Sequence, residues 1–209
     1  MNQFKNLIVL SPLVYAVHHF EEHVIFNFIE WKLKYFYHSA AALSTEAILS
    51  ILICIFVIFT LIHLVKNNRA SAYILLYILF TIQVVNALFH IFFSFYYSDF
   101  SPGTITAVLF YLPVNFFIVR AAFKEGWLKS YLEYAVIAFL GTITFALFEI
   151  YGPIVIALSM VASFIYFIWA SNKLTWCFYN LLIFNFAKTW LSPLNWNKPA
   201  NIWDYLEKS

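Results

Sequence analysis

The stretch LIVLSPLVYAVHHFEEHVIFNFIE, residues 7–30, decides how the chain is read. Its length and apolar character match the roughly 20 residues that a helix needs to cross a bilayer. Its middle, however, is His18-His19-Phe20-Glu21-Glu22-His23, with three imidazoles and two carboxylates in six residues. A charged side chain deep in a membrane helix costs about 3 kcal/mol on insertion scales. Such groups persist where they face a protein interior and are partnered. The hexapeptide therefore marks a functional site, and the rest of the chain is expected to supply its partners.

Composition fixes the class. Of 209 residues, 64% are hydrophobic and only 11% charged, against roughly 25% charged in a soluble domain. One globular core cannot bury that excess, so the expectation is an all-α polytopic transmembrane helical bundle. A formal net charge of +2 with no basic run argues against nucleic acid as a partner. Cys54 and Cys177 are too far apart for ligand-like spacing and give no disulfide framework. Lys5 is the only cation before the first apolar run and no small-residue cleavage site follows it, so that run is expected to be retained rather than removed as a signal peptide. With 25 Phe, 14 Tyr and only four Gly, helix packing should rest on bulky aromatics.

Taken in order, six spans are expected, over residues 7–30, 41–65, 71–97, 104–123, 131–150 and 154–170. They form a bundle domain of residues 1–175. Residues 176–209 form a second part, with a short apolar run ending near Trp190 that is either a seventh span or an interfacial helix, then a Trp-, Pro- and Asn-rich tail. Pro12 and Pro113 sit inside predicted helices, near a start and at an expected kink respectively. Ser98-Asp99-Phe100-Ser101-Pro102-Gly103 is the clearest turn. Lys5, Lys66, Arg69, Arg120, Lys124, Lys129 and Lys173 fall on one side, and only Lys32 and Lys34 on the other before the tail. By the positive-inside rule the N-terminus is cytoplasmic, in a multi-pass protein of the cell membrane.

Depth then groups the polar residues. At 1.5 Å per residue, His18 and Glu22 lie roughly 16 and 22 Å up the first span, and Asn86 and His90 about 22 and 28 Å up the third. Glu46 and Glu149 fall in the same outer layer. His18, Glu21 and Glu22 share one third of the first helix, because residues three and four apart are neighbours. Gln83, Asn86 and His90 form a second stripe. Two polar stripes at one depth are expected to face each other and satisfy their hydrogen bonds where lipid supplies none.

His18-His19-Phe20-Glu21-Glu22 also resembles the HXXEE-motif membrane proteins. The resemblance continues through Asn86-x-x-x-His90 and the turn Ser101-Pro102-Gly103-Thr104, covering roughly the first half to two thirds of the chain. It implies a membrane fold and a site, not a reaction.

Chemically, His18, Glu22 and His90 are the expected metal ligands, since imidazole and carboxylate suit zinc and non-haem iron. Three ligands leave a coordination position open, the catalytic arrangement for zinc, so a divalent metal is expected, zinc ahead of iron. Glu21 or Glu149 would act as base on an activated water, and Asn86 would orient a ligand or polarise substrate. The two-iron carboxylate pattern needs two Glu-x-x-His units, which the chain lacks. His19 or His23 would add a ligand or an interhelical hydrogen bond, and Glu46 would join the site. His63, far off in depth, reads as interfacial. The leading expectation is a metal-dependent enzyme acting on a lipid or other hydrophobic substrate. The alternatives are a proton- or ion-coupled transporter or channel using the same groups as a relay, metal-free acid–base lipid chemistry, or a buried network that only holds helices together.

Overall fold

The computed structural model describes residues 3–36 and 45–171, and all regular structure among them is helical. Among the described residues, five helices are long and apolar enough to cross a membrane: α4 from Thr45 to Lys66, α5 (Arg69–Tyr96), α6 (Thr104–Lys124), α7 (Tyr131–Tyr151) and α8 (Ile154–Ser171). The apolar run at 176–190 and the tail lie outside the described residues. A compact unit closes at Ile168.

The expected first span is not one rod. It is built from α1 (Gln3–Ile8), α2 (Ser11–Phe20), a π-helical turn (Glu21–Ile25) and α3 (Phe28–Phe36). Two local causes account for the pieces. Pro12 lies in the first turn of α2, where a missing N–H costs nothing. At the other end Phe26 is extended, with φ −121° and ψ 165°. Asn27 then restarts the helix. Its Oδ1 accepts from Glu30 N at 3.2 Å and its Nδ2 donates to the Glu30 carboxylate at 3.2 Å. Asn27 is thus a side-chain N-cap, and it cuts the predicted span at residue 27.

The third predicted span is the most buried of the five and forms the centre of the bundle. Ala72, Leu75, Ile78, Leu79 and Ala87 of α5 are all essentially solvent-free. α5 packs against α4, α6 and α7, and α2 packs against α4 and the opening turns of α6. Asn68 caps α5 by accepting from Ser71 N at 2.9 Å. α7 rides close on α5 at Gly141, where an added Cβ would sit 2.9 Å from side-chain atoms of Phe80 and Thr81. Away from that contact, α7 and α8 present Leu132, Phe139, Leu158 and Ile165 outward, the lipid-facing surface of a membrane bundle.

The two ends differ in chemistry. At the end carrying the basic residues, Phe4 N donates to Glu125 Oε1 at 2.9 Å, and Arg69 meets Glu133 at 2.8 Å. At the other end α3 is tied down by Lys32–Glu149 at 2.7 Å and Lys34–Asp99 at 2.9 Å, with Tyr35 Oη donating to Asp99 at 2.6 Å. The exposed Lys34–Asp99 pair is worth about 0–1 kcal/mol, so it orients α3 more than it stabilises it.

Candidate metal centre

Three helical segments and one turn build the site. α2 and its π-helical extension bring His18, Glu21 and Glu22, the second half of α5 brings Asn86 and His90, the turn before α6 brings Ser101 and Gly103, and the first turn of α6 brings Thr106. π-helical turns recur at functional sites. Here one holds both carboxylates, and the π-helical stretch Phe80–Val85 ends directly before Asn86.

Both central histidines are completely buried, and each has one ring nitrogen fixed by a hydroxyl. His18 Nδ1 lies 2.8 Å from Thr106 Oγ1, and His90 Nδ1 lies 2.9 Å from Ser101 Oγ. Thr106 Oγ1 donates to Gly103 O at 3.3 Å, so it accepts the proton of His18 Nδ1. That leaves Nε2 of His18 as the acceptor, and Asn86 Nδ2 donates to it at 3.0 Å. A histidine held through one nitrogen with the other turned inward is the arrangement that orients a metal ligand. Tyr111 stacks on the His18 ring at 4.2 Å between centroids, and Phe28 meets His90 edge-on at 5.1 Å.

The inward nitrogens converge on Glu22. Its Oε1 lies 3.4 Å from His18 Nε2 and 2.8 Å from His90 Nε2. The His90 nitrogen has no hydrogen-bond partner despite that distance. Electron-rich atoms gathered in a lipid-shielded interior repel unless a cation or proton lies among them. The ligand atoms of His18, Glu22 and His90 all lie within 4.8 Å of one another, so this buried triad could hold a metal ion. His19, Glu22 and His23 form a second such triad.

Glu21, one residue away, is engaged quite differently. Oε1 accepts from Gly103 N at 3.2 Å and Ile105 N at 3.1 Å, and Oε2 from Thr106 N at 2.6 Å. These are the orphan donors of the α6 N-terminus, and Gly103 has no side chain to cap them. A carboxylate there is favoured by the helix dipole and by charge-assisted bonds. Gly103 itself has φ +99°, which suits glycine. A Cβ at this position would lie 2.8 Å from His18 Cε1, 3.0 Å from Glu22 Cγ and 3.1 Å from His90 Cε1, so the turn is pressed against the triad.

The polar stripe continues inward from the triad as amides. Asn115 Nδ2 donates to Gln83 Oε1 at 2.7 Å, and Gln83 Nε2 donates to Ser11 O at 3.0 Å. Beyond them lie Ile8, Leu75, Leu79 and Ile118, all buried and apolar.

The structure thus brings His18, Glu22, Asn86 and His90 together. Glu21 lies beside them with both oxygens taken by backbone amides, and Glu149 is bonded to Lys32. Glu46 sits in the first turn of α4. His63, in the last turn of α4 at the opposite end, is fully buried, its ring between Phe4 and Trp127. Ser101, Thr106, Tyr111 and Asn115 escape sequence reasoning. Hydroxyls in a turn read as turn formers, and only the Ser-Pro-Gly-Thr run hinted at more.

A model of proteins of unknown function with an HXXEE motif matches residues 9–118, just over half of the chain. The chain belongs to the HXXEE family. His18, Glu21 and Glu22 are the lettered positions of that motif, and the geometry accounts for their spacing. The i+4 carboxylate turns with the histidine into the cluster, while the i+3 carboxylate turns to the α6 N-terminus. No curated protein and no solved structure matches this HXXEE protein.

Proposed function

We propose that this HXXEE protein is a metal-dependent membrane enzyme acting on a lipid or other hydrophobic substrate in the outer half of the bilayer, with His18, Glu22 and His90 holding a divalent ion, zinc in preference to iron. The observation that carries this reading is the inward convergence of two hydroxyl-fixed imidazoles on one buried carboxylate. Imidazole nitrogen and carboxylate oxygen are zinc's ligands at catalytic sites, and three of them leave room for a reactant. When bound, the ion supplies a Lewis acid that polarises a carbonyl or phosphoryl oxygen.

The chain's own groups do the rest. Thr106 and Ser101 keep each Nδ1 occupied so that each Nε2 faces the ion. With the ion bound, Asn86, whose amide lies 3.0 Å from His18 Nε2, would be the group placed to orient the substrate. Glu21 positions rather than reacts, since its oxygens hold the start of α6. Glu149 helps anchor α3. Val24, Ile25, Phe26, Phe100 and Ile105 stay exposed around the site, and this apolar collar suits a substrate arriving sideways from the acyl chains. With Lys66, Arg69, Lys124 and Lys129 at the opposite end, the N-terminus is cytoplasmic and the site lies toward the outer face of the cell membrane.

The relay alternative needs a hydrated or titratable path from the triad to the cytoplasmic end. The buried, mutually bonded Gln83–Asn115 amide pair and the apolar packing of Ile8, Leu75 and Ile118 weigh against it. The test is elemental analysis of tag-free protein in detergent, wild type beside His18→Ala and His90→Ala. One or more equivalents of zinc or iron in wild type, reduced in both variants, is the expected result. Wild-type protein that stays metal-free after reconstitution with both ions overturns the proposal.

A further inference from the structure

We infer that the centre is dinuclear, with Glu22 as a bridging carboxylate and His19 and His23 holding a second divalent ion. The inference rests on the metal reading above and extends it to residues that reading leaves idle. The two oxygens of Glu22 face different partners. Oε1 is turned to His18 and His90 at 3.4 and 2.8 Å, whereas Oε2 is nearest His23 Nε2 at 3.8 Å. The ligand atoms of His19, Glu22 and His23 also lie within 4.8 Å of one another.

Helix geometry explains why one carboxylate serves both. Glu22 is four residues after His18 and three after His19, so it projects between the two histidine rows, and His23 repeats the His19 row one turn on. The His19 and His23 rings are 4.4 Å apart between centroids. His19 is buried, and Tyr15 lies 6.0 Å from it. His23 is half-buried and lies next to exposed Val24 and Ile25. The second position is thus the outward one, beside the apolar collar, and the His18–His90 position is the inner one. In two-metal sites, ions roughly 4 Å apart clamp attacking and leaving oxygens together. A one-carboxylate bridge with two histidines on each side is a ligand set for that arrangement, and it favours a substrate carrying a negatively charged oxygen, such as a phosphate or carboxylate ester.

The test uses full-length, tag-free protein in detergent, loaded with zinc for counting and with manganese(II) for electron paramagnetic resonance. Wild type is expected to hold about two zinc ions per chain and to give the spectrum of an exchange-coupled manganese pair. His23→Ala, the substitution least disruptive to the core, should hold about one zinc and give an uncoupled signal, as should His19→Asn. Circular dichroism and elution volume check that each variant is folded. Wild type that holds one zinc with no coupling overturns the bridge while leaving the His18–Glu22–His90 site standing. Two ions retained in both variants overturn it as well, because the second ion then lies elsewhere. Wild type with no metal overturns both readings together.

Discussion

Two histidines at opposite ends of the bundle share the same local chemistry. His90 has Nδ1 on Ser101 Oγ at 2.9 Å, and His63 has Nδ1 on Ser71 Oγ at 3.0 Å. Both rings are fully buried, and in both the Nε2 lacks a hydrogen bond. The difference lies in what the free nitrogen meets. That of His90 faces Glu22 with His18 beside it, whereas His63 is boxed edge-on by Phe4 at 5.2 Å and Trp127 at 4.9 Å. A serine-fixed imidazole is therefore not a site in itself. Convergence with a carboxylate from another helix distinguishes a centre from a well-packed core histidine.

The contrast breaks most visibly through the rings themselves. His90→Ala should lower zinc affinity by more than the roughly 10- to 100-fold that a supporting residue carries, and His63→Ala should leave it unchanged while lowering thermal stability. Competition titration with a chelator measures both, and equal zinc loss in the two would erase the distinction. The supporting hydroxyls come next. Ser101→Ala should weaken zinc binding about 10- to 100-fold, and Ser71→Ala should have no effect on it.

A smaller effect separates the adjacent carboxylates. Glu21→Gln should cost about 1–3 kcal/mol of stability, because charge-assisted bonds to backbone amides weaken, with less change in metal affinity than Glu22→Gln. A denaturant titration of both variants in detergent, paired with zinc counting, would reveal the opposite if Glu21 were the ligand. Gly103→Ala should lower stability by about 1 kcal/mol or more, because φ is positive and the new methyl meets both site histidines.

The smallest effect is at the surface. Bonds from Tyr35 and Lys34 hold the Asp99 carboxyl below its ordinary range, and Tyr35 and Asp99 hold Lys34 above its own. The Asp99 contribution is thus fully present above about pH 4 and fades as pH falls through its depressed pKa. The Lys34 contribution is present below about pH 10 and fades only as pH rises past its ordinary value. Asp99→Asn should therefore melt slightly below wild type at pH 7, with the gap closing in strong acid. A gap that widens on acidification would contradict the assignment.

Much of this was legible in the sequence because membrane interiors make polar residues conspicuous. His18, Glu22, Asn86 and His90 could be placed at one depth by counting residues, and the structure brings them together from two helices. The long apolar helices were equally plain. The break in the first segment was hidden because Asn27 and Glu30 lie among Phe and Ile, where hydropathy averages over them. Glu21 could not be told from Glu22, since pattern alone does not say which neighbouring helix starts where. Thr106 and Ser101 were invisible for a related reason. A hydroxyl's value depends on the ring nitrogen opposite it, and that pairing exists only once the turn folds back onto α2.

Glu21 completes the opening turn of a helix whose first amide partner lies 82 residues further along the chain. During synthesis the early segment is therefore made before the amides that bind its carboxylate have left the ribosome. Until Gly103 to Thr106 arrive, that acid lacks its backbone donors and must be hydrated or sheltered by the insertion machinery. Their arrival ties the first segment to the start of α6, so one acid of the motif also serves as a latch in assembly of the bundle.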